Sequence, residues 1–290
     1  MKKIVLFLNL ILIICILFGC TVVHDHVDVA ATTLPVFEFT TLLCEGTDIT
    51  VGRLVTEEVS CLHDYTLQVS QMRMAESADA VVISGAGLEE FLKDVLDTSK
   101  TVIDASAGAH VHDGDHHHDH AEHTHESDPH IWLSPENAEI MVKNICSGLT
   151  ELYPEYASVF SANEADILIE LRKLQVYGDE TLSNLSCREL VTFHDGFAYF
   201  AESFDLSIVK AVEEESGSEA SAAELIELIE IVEGHNLPAI FIEQNGSTAA
   251  AEIISSETGA KIFTLHMAMS GNSYFDAMYQ NIHAVKEALQ

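Results

Sequence analysis

The stretch EYASVFSANEADILIELRKLQVYGDETLSNL, residues 155–185, decides the architecture. Val159, Ile167, Leu171, Leu174 and Leu182 recur in it at helical spacings on a polar background, and Pro154 stands just before it. A helix of that length, about 45 Å at 1.5 Å per residue, is too long for one face of a compact lobe. It predicts a spine between two lobes. On both sides of it, short β-rich runs alternate with helical segments. Before it, strands are expected at residues 49–55, 80–84 and 101–103. Helices are expected at 69–77 and 88–96, and from Ser134-Pro135-Glu136 to about 152. After it, strands are expected at 190–193, 208–212, 239–242 and 261–265. The helices there are expected at 196–203, 247–257 and 274–289, with another opened by the capping box of Ser221 and Glu224. This alternation argues for an α/β fold with two lobes, each a parallel sheet covered by helices, joined by the spine with a cleft between them. The expected divisions are an N-terminal lobe at 31–153, a linker helix at 154–186 and a C-terminal lobe at 187–290.

Composition narrows the function. The chain has 290 residues, with 13 Lys plus Arg against 47 Asp plus Glu, for a net charge of −34. Such a surface repels polyanions, which excludes nucleic acid as a partner, and it favours cations. At 48% hydrophobic residues the chain can build a sizeable core. Of its 16 histidines, many cluster in residues 110–125: His110, His112, His116, His117, His118, His120, His123 and His125, interspersed with Asp113, Asp115, Asp119 and Glu122. That composition predicts a solvated loop that contacts divalent metal with low affinity.

The first residues read as an address. Lys2 and Lys3 precede an apolar run interrupted only by Asn9, shorter than the ~20 residues of a comfortable membrane span, so residues 1–19 are expected to be a secretory signal peptide. The run ends in Leu17-Phe18-Gly19-Cys20, which resembles the lipobox of bacterial lipoproteins. The resemblance implies cleavage before Cys20, lipid on Cys20, a tether at 20–30 and a place on the outer face of the cytoplasmic membrane. In that compartment Cys44, Cys61, Cys146 and Cys187 have two readings. They form two local disulfides, Cys44–Cys61 and Cys146–Cys187, or they stay as buried free thiols.

Four further histidines share a placement. His63 follows a strand by a short loop, His130 precedes a helix, and His194 and His266 directly follow strands. Parallel α/β sheets bind ligands outside the carboxyl ends of their strands. With two of these histidines in each lobe, all four can converge in the cleft. Four imidazoles make a tetrahedral nitrogen site suited to Zn²⁺ at ~2.0–2.1 Å. A carboxylate-rich set would suit Mn²⁺ better, so Mn²⁺ is the less favoured ion.

Longer strings then carry a resemblance over nearly all of the chain beyond Cys20. They are Cys61-Leu62-His63-Asp64-Tyr65, Gly85-Ala86-Gly87-Leu88-Glu89, Asp128-Pro129-His130-Ile131-Trp132-Leu133-Ser134-Pro135 and Phe193-His194-Asp195-Gly196-Phe197. In them and in the His-rich loop the chain resembles the zinc solute-binding lipoproteins of bacterial ABC transporters. The resemblance implies two α/β lobes on one rigid helix, and metal ligation by His63, His130 and His194. It also implies delivery of the ion, by a monomer, to an ABC permease and its ATPase. One departure stands out: the family often has an acidic residue after the last strand, where this chain has His266. Asp64, Asp195 and Glu243 are expected to orient the ring N–H groups. The sequence has no HExxH, no serine nucleophile elbow and no zinc-deaminase signature, which argues against an enzyme. The competing readings are a surface lipoprotein acting as metal buffer or adhesin, and a manganese receptor.

Overall fold

The computed structural model of the protein describes residues 26–57, 62, 65–93, 100–112, 127–212, 221–244 and 246–290. The N-terminal lobe runs β1 (Val29–Ala31), α1 (Leu34–Leu43), β2 (Val51–Arg53), α2 (Val69–Ser77), β3 (Ala80–Ile83), β4 (Thr101–Asp104) and α3 (Pro135–Leu152). The spine is α4 (Ala157–Leu182). The C-terminal lobe runs β5 (Glu189–Thr192), α5 (Ala198–Ser203), β6 (Ser207–Ala211), α6 (Ala222–Gly234), β7 (Ala239–Glu243), α7 (Ala249–Thr258), β8 (Lys261–Leu265) and α8 (Tyr274–Leu289).

The sheets are ordered β2-β1-β3-β4 and β6-β5-β7-β8, and every pairing is parallel. Both lobes thus carry one doubly wound topology without any sequence repeat. In each, the strand order reverses beside the first strand, and that switch point leaves a crevice at the carboxyl ends. The spine follows from its buried residues Phe160, Ile167, Leu171, Leu174, Gly178 and Leu182, spaced three, four or seven apart. Its 26 residues span about 39 Å. Glu38 on α1 links the lobes at the far end of the chain. Its carboxylate accepts from the Ser273 hydroxyl at 3.0 Å and from the Tyr274 N–H at the start of α8. Burial raises its pKa, which those two donors oppose.

Several expectations change. Val29 and Ala30 are fully buried in β1, so the N-terminal lobe includes the end of the stretch read as a tether at 20–30. No element was expected at 34–43, where α1 stands. Of the helix expected at 88–96, the described residues form one 3-10 turn, Glu90–Leu92, and residues 94–99 lie outside them. The signal peptide and Cys20 also lie outside them. Among the described residues no helix is long and apolar enough to cross a membrane.

The disulfide expectation is corrected: Cys44, Cys146 and Cys187 are free thiols, and Cys61 lies outside the described residues. Nearness along the chain misled. Cys146 lies against Glu164 near the start of the spine, and Cys187 follows its end. The 18 residues from 164 to 182 span about 27 Å of helix, far beyond the ~7 Å Cα separation a disulfide tolerates. Burial pushes the Cys44 and Cys146 thiols up to about 12, so they stay protonated.

Candidate metal centre

Three neighbouring strands of the C-terminal sheet present polar groups at their carboxyl ends. His194 follows β5 after Phe193, Glu243 ends β7 with Gln244 behind it, and His266 follows β8. The β5/β7 switch point therefore lies between His194 and Glu243, with Glu243 Oε2 3.9 Å from His194 Nε2. From the N-terminal lobe, His130 enters on the turn Ile131–Leu133 that leads into α3. Ser134 caps α3 by accepting from the Asn137 N–H, with Pro135 in the first turn. The His130 and His194 rings meet across the cleft with centroids 5.0 Å apart and planes at 88°. Gly196 makes this approach possible, since a Cβ there would sit 2.6 Å from His130 Nδ1.

Each ring is held by a partner. Asp128 accepts from both the backbone N–H and Nδ1 of His130, at 2.9 and 2.7 Å. A proton on Nδ1 leaves Nε2 with a lone pair to coordinate. For His266, Gln244 Oε1 lies 2.6 Å from Nδ1 and selects the same tautomer. Asn281, fully buried on α8, brackets the His266 backbone: its Oδ1 accepts from the N–H at 2.7 Å and its Nδ2 donates to the C=O at 2.8 Å. Burial lowers the His266 pKa, favouring the neutral form that coordinates. Trp132 Nε1 donates to Met267 C=O at 2.7 Å, tying the His266 loop to the turn that carries His130.

His194 has two settings. Its Nδ1 accepts from the Gly196 N–H at 2.9 Å and lies 3.1 Å from Asp195 Oδ1. The first contact puts the neutral ring's proton on Nε2, toward Glu243. Coordination through Nε2 requires the second, with Nδ1–H donating to Asp195. That carboxylate is prepared for the role: the hydrogen bond from His194, helped by the attraction of His194 and His130, pulls its pKa down to about 2 against the effect of burial.

Of the expected site residues, His130 and His194 are together, and His266 stands at the end of β8, with β7 between its strand and that of His194. His63 and Asp64 lie outside the described residues, as do His116, His117, His118, His120, His123 and His125. Asp195 stands where an orienting acid should. Glu243 faces Nε2 of His194 rather than Nδ1, so it is not placed to orient the ring through Nδ1. Sequence reading missed Asp128 and Gln244 as orienting groups, although Asp128 stands two residues before its histidine and Gln244 directly follows β7, the strand next to β8. Among the described residues, one trio of His, Cys, Asp or Glu brings its ligand atoms all within 4.8 Å, and it lies elsewhere: His110, His112 and Glu202. The described cleft donors are more widely spread.

With this geometry in place the comparisons become specific. The pattern of the ZnuA family, described as zinc-uptake complex component A, periplasmic, matches residues 29–288. The chain belongs to the ZnuA family. It is 31% identical over 278 residues to the zinc-binding lipoprotein AdcA of Streptococcus pneumoniae strain R6, covering 90% of this chain and 55% of that protein. This chain thus spans about half the length of the curated AdcA relatives it matches. A crystal structure of ZnuA superposes with a TM-score of 0.79 at 26% identity, covering 91% of this chain and 100% of the other. The Zn(II)-bound AdcA structure from Streptococcus pneumoniae superposes with a TM-score of 0.76 at 29% identity, over 91% of this chain and 58% of that one. The two-lobed ZnuA fold, with its long spine helix, is therefore the fold of this chain.

Proposed function

We propose that this protein is an extracytoplasmic receptor that binds Zn²⁺ in the interlobe cleft and delivers it to an ABC permease, energised by the permease's ATPase. The ligands in this reading are His63, His130, His194 and His266. The observation that carries it is the meeting of His130 and His194 from opposite lobes, each beside a carboxylate that can hold Nδ1–H. An imidazole set suits zinc over manganese. Four protein ligands leave no open position for an activated water, so the ion is cargo and the protein is no enzyme. Lipid on Cys20 would keep the monomeric receptor on the outer membrane face, and the rigid spine confines the response to loop movement. The His-rich loop adds weak metal contacts.

Glu243 favours a second version of the site. Its carboxylate lies 3.9 Å from His194 Nε2, within a short movement of the about 3.3 Å that separates two donors on a tetrahedral zinc. If Glu243 coordinates in place of His266, the set gains an oxygen and tolerates Mn²⁺ better. The test is metal content of the protein lacking residues 110–125, with zinc and manganese in competition, alongside His266→Ala and Glu243→Gln. One tight zinc, weakened by His266→Ala, supports the four-histidine receptor. No tight metal overturns it and favours a buffer or surface role for the loop.

A further inference from the structure

The chain between β8 and α8 is a strap that belongs to the C-terminal lobe and is fastened to the N-terminal one. His266 opens it, and Ser273 closes it as the N-cap of α8. Three of its carbonyls, at every second residue, accept from donors of the N-terminal lobe. Trp132 Nε1 holds the Met267 C=O at 2.7 Å. The Leu34 N–H donates to the Met269 C=O at 3.3 Å. Arg53 Nη1 donates to the Gly271 C=O at 2.9 Å, with its guanidinium 5.8 Å above the centre of the Phe37 ring. Met267, Ala268 and Met269 are buried, which shields the first of these bonds from water.

The two lobes also trade helix caps. The Leu34 N–H is one of the first-turn donors that α1 cannot satisfy internally, and a strap carbonyl satisfies it. In return Glu38, one turn further along α1, serves the start of α8. The Ser273 hydroxyl donates to Glu38 Oε1 at 3.0 Å while accepting from the Asp276 N–H at 3.3 Å, and Glu38 Oε2 takes the Tyr274 N–H. A carboxylate in that place also complements the positive end of the α8 dipole. The buried Tyr274 ring meets Phe39 of α1 edge to face at 5.0 Å, and its hydroxyl donates to the Trp132 C=O at 2.9 Å. The support of His266 therefore runs to the N-terminal lobe by two routes. The strap is one, and α8, which carries Asn281 two turns from its start, is the other.

We infer that the strap is an interlobe latch, and that Glu38 and Arg53 are positioning residues which, by holding it, fix the His266 ring in the cleft and slow escape of the ion. Preorganisation explains the effect. A ring whose backbone is already fixed loses less freedom on coordinating, and a ring on a lifted strap leaves the ion. Asn281 takes up both the N–H and the C=O of His266, so the ring moves only if the strap or α8 moves. Glu38 and Arg53 carry none of the contacts described for His130 and His194, so breaking the latch loosens one ligand and spares the other two. The latch stands on its own contacts; only its effect on the ion rests on the cleft reading above.

Trp132 is the single tryptophan of the chain, is fully buried and donates its indole N–H to the strap, so its fluorescence reads the latch directly. In the metal-free whole chain, Glu38→Ala and Arg53→Met should each move the emission to longer wavelength and raise quenching by acrylamide, as water reaches the ring. Arg53→Met keeps an apolar stem beside Phe37 and serves if Glu38→Ala does not fold. Emission and quenching unchanged in both variants overturn the latch. The zinc-loaded protein then tests positioning. Chelator-driven release should quicken about 10-fold in Glu38→Ala, the change that goes with one net hydrogen bond, and by a similar factor or less in Arg53→Met. In a His266→Ala background, which leaves the backbone contacts of the strap in place, the same substitutions should change release by less than about 2-fold, because residues acting through one another are not additive. The same acceleration without His266 would overturn the positioning role, since the variants would then act on the whole cleft. If His266→Ala itself leaves release unchanged, the cleft reading fails at His266 and the positioning role fails with it, while the fluorescence still decides the latch.

Discussion

The cleft and the base of the His-rich segment gather the same chemistry in opposite ways. At the cleft, the His130 and His194 side chains are 5% and 12% exposed, and their Nδ1 atoms lie beside Asp128 and Asp195. At the loop base, His110 and Glu202 are 68% and 60% exposed and His112 is 31% exposed with its Nε2 buried, although the three ligand atoms lie closer together. The tighter cluster is therefore the wetter one. Proximity alone does not set affinity. Burial strengthens each charge-dipole contact, and a fixed tautomer spares the ion the cost of reorienting the ring. In the proposed reading, tight capture belongs to the cleft and rapid exchange to the loop base.

The largest effect that could break this contrast is loss of a cleft ligand. His130→Ala or His194→Ala should weaken the tight zinc by more than ~100-fold, since outer partners alone are worth 10–100-fold. His110→Ala should leave that equivalent in place. Competition against a chelator of known affinity reads both. Next, Asp128→Ala frees the His130 ring without removing a ligand and should cost about 10–100-fold, with Gln244→Ala near the lower end. Asn281→Ala strands the buried N–H and C=O of His266 and should lower stability by about 2 kcal/mol, measured by urea unfolding of the metal-free protein. The smallest effect sharpens the protonation logic. Imidazoles coordinate only when neutral, so zinc affinity should fall as pH drops through ~6.5. Burial lowers the His266 pKa, so His266 takes up its proton at lower pH than an ordinary imidazole. Removing it should weaken binding while leaving the midpoint of that pH dependence unchanged.

Much of the fold was legible because its signals were periodic. The apolar spacing at 167, 171, 174 and 182 defined the spine, and alternation of strand and helix defined both sheets. The segment LPVFEFTTLL of α1 escaped notice because its less buried face is apolar too: Val36, Phe39, Thr40 and Leu43 form a buried i, i+3, i+4, i+7 stripe, but the partly buried Phe37 and Leu42 lie outside it. An apolar, β-branched run without a polar stripe has no helical period to read. β1 is three residues of small apolar side chains, too short to signal a central strand. At the site, the strand-end rule located His194 and His266, because topology places their loops in the cleft. The same rule said nothing about Glu202, which sits next to the C-terminal residue of α5 and reaches its partners only through the docking of that helix. The cysteine pairing failed for a related reason: Cys146 and Cys187 are neighbours in sequence only if the spine between them is ignored.

Anomalous diffraction at the zinc absorption edge from zinc-loaded crystals tests the central claim most directly. The account predicts the strongest peak in the cleft, within ~2.0–2.1 Å of Nε2 of both His130 and His194. A strongest peak beside His110, His112 and Glu202, with the cleft vacant, would contradict it.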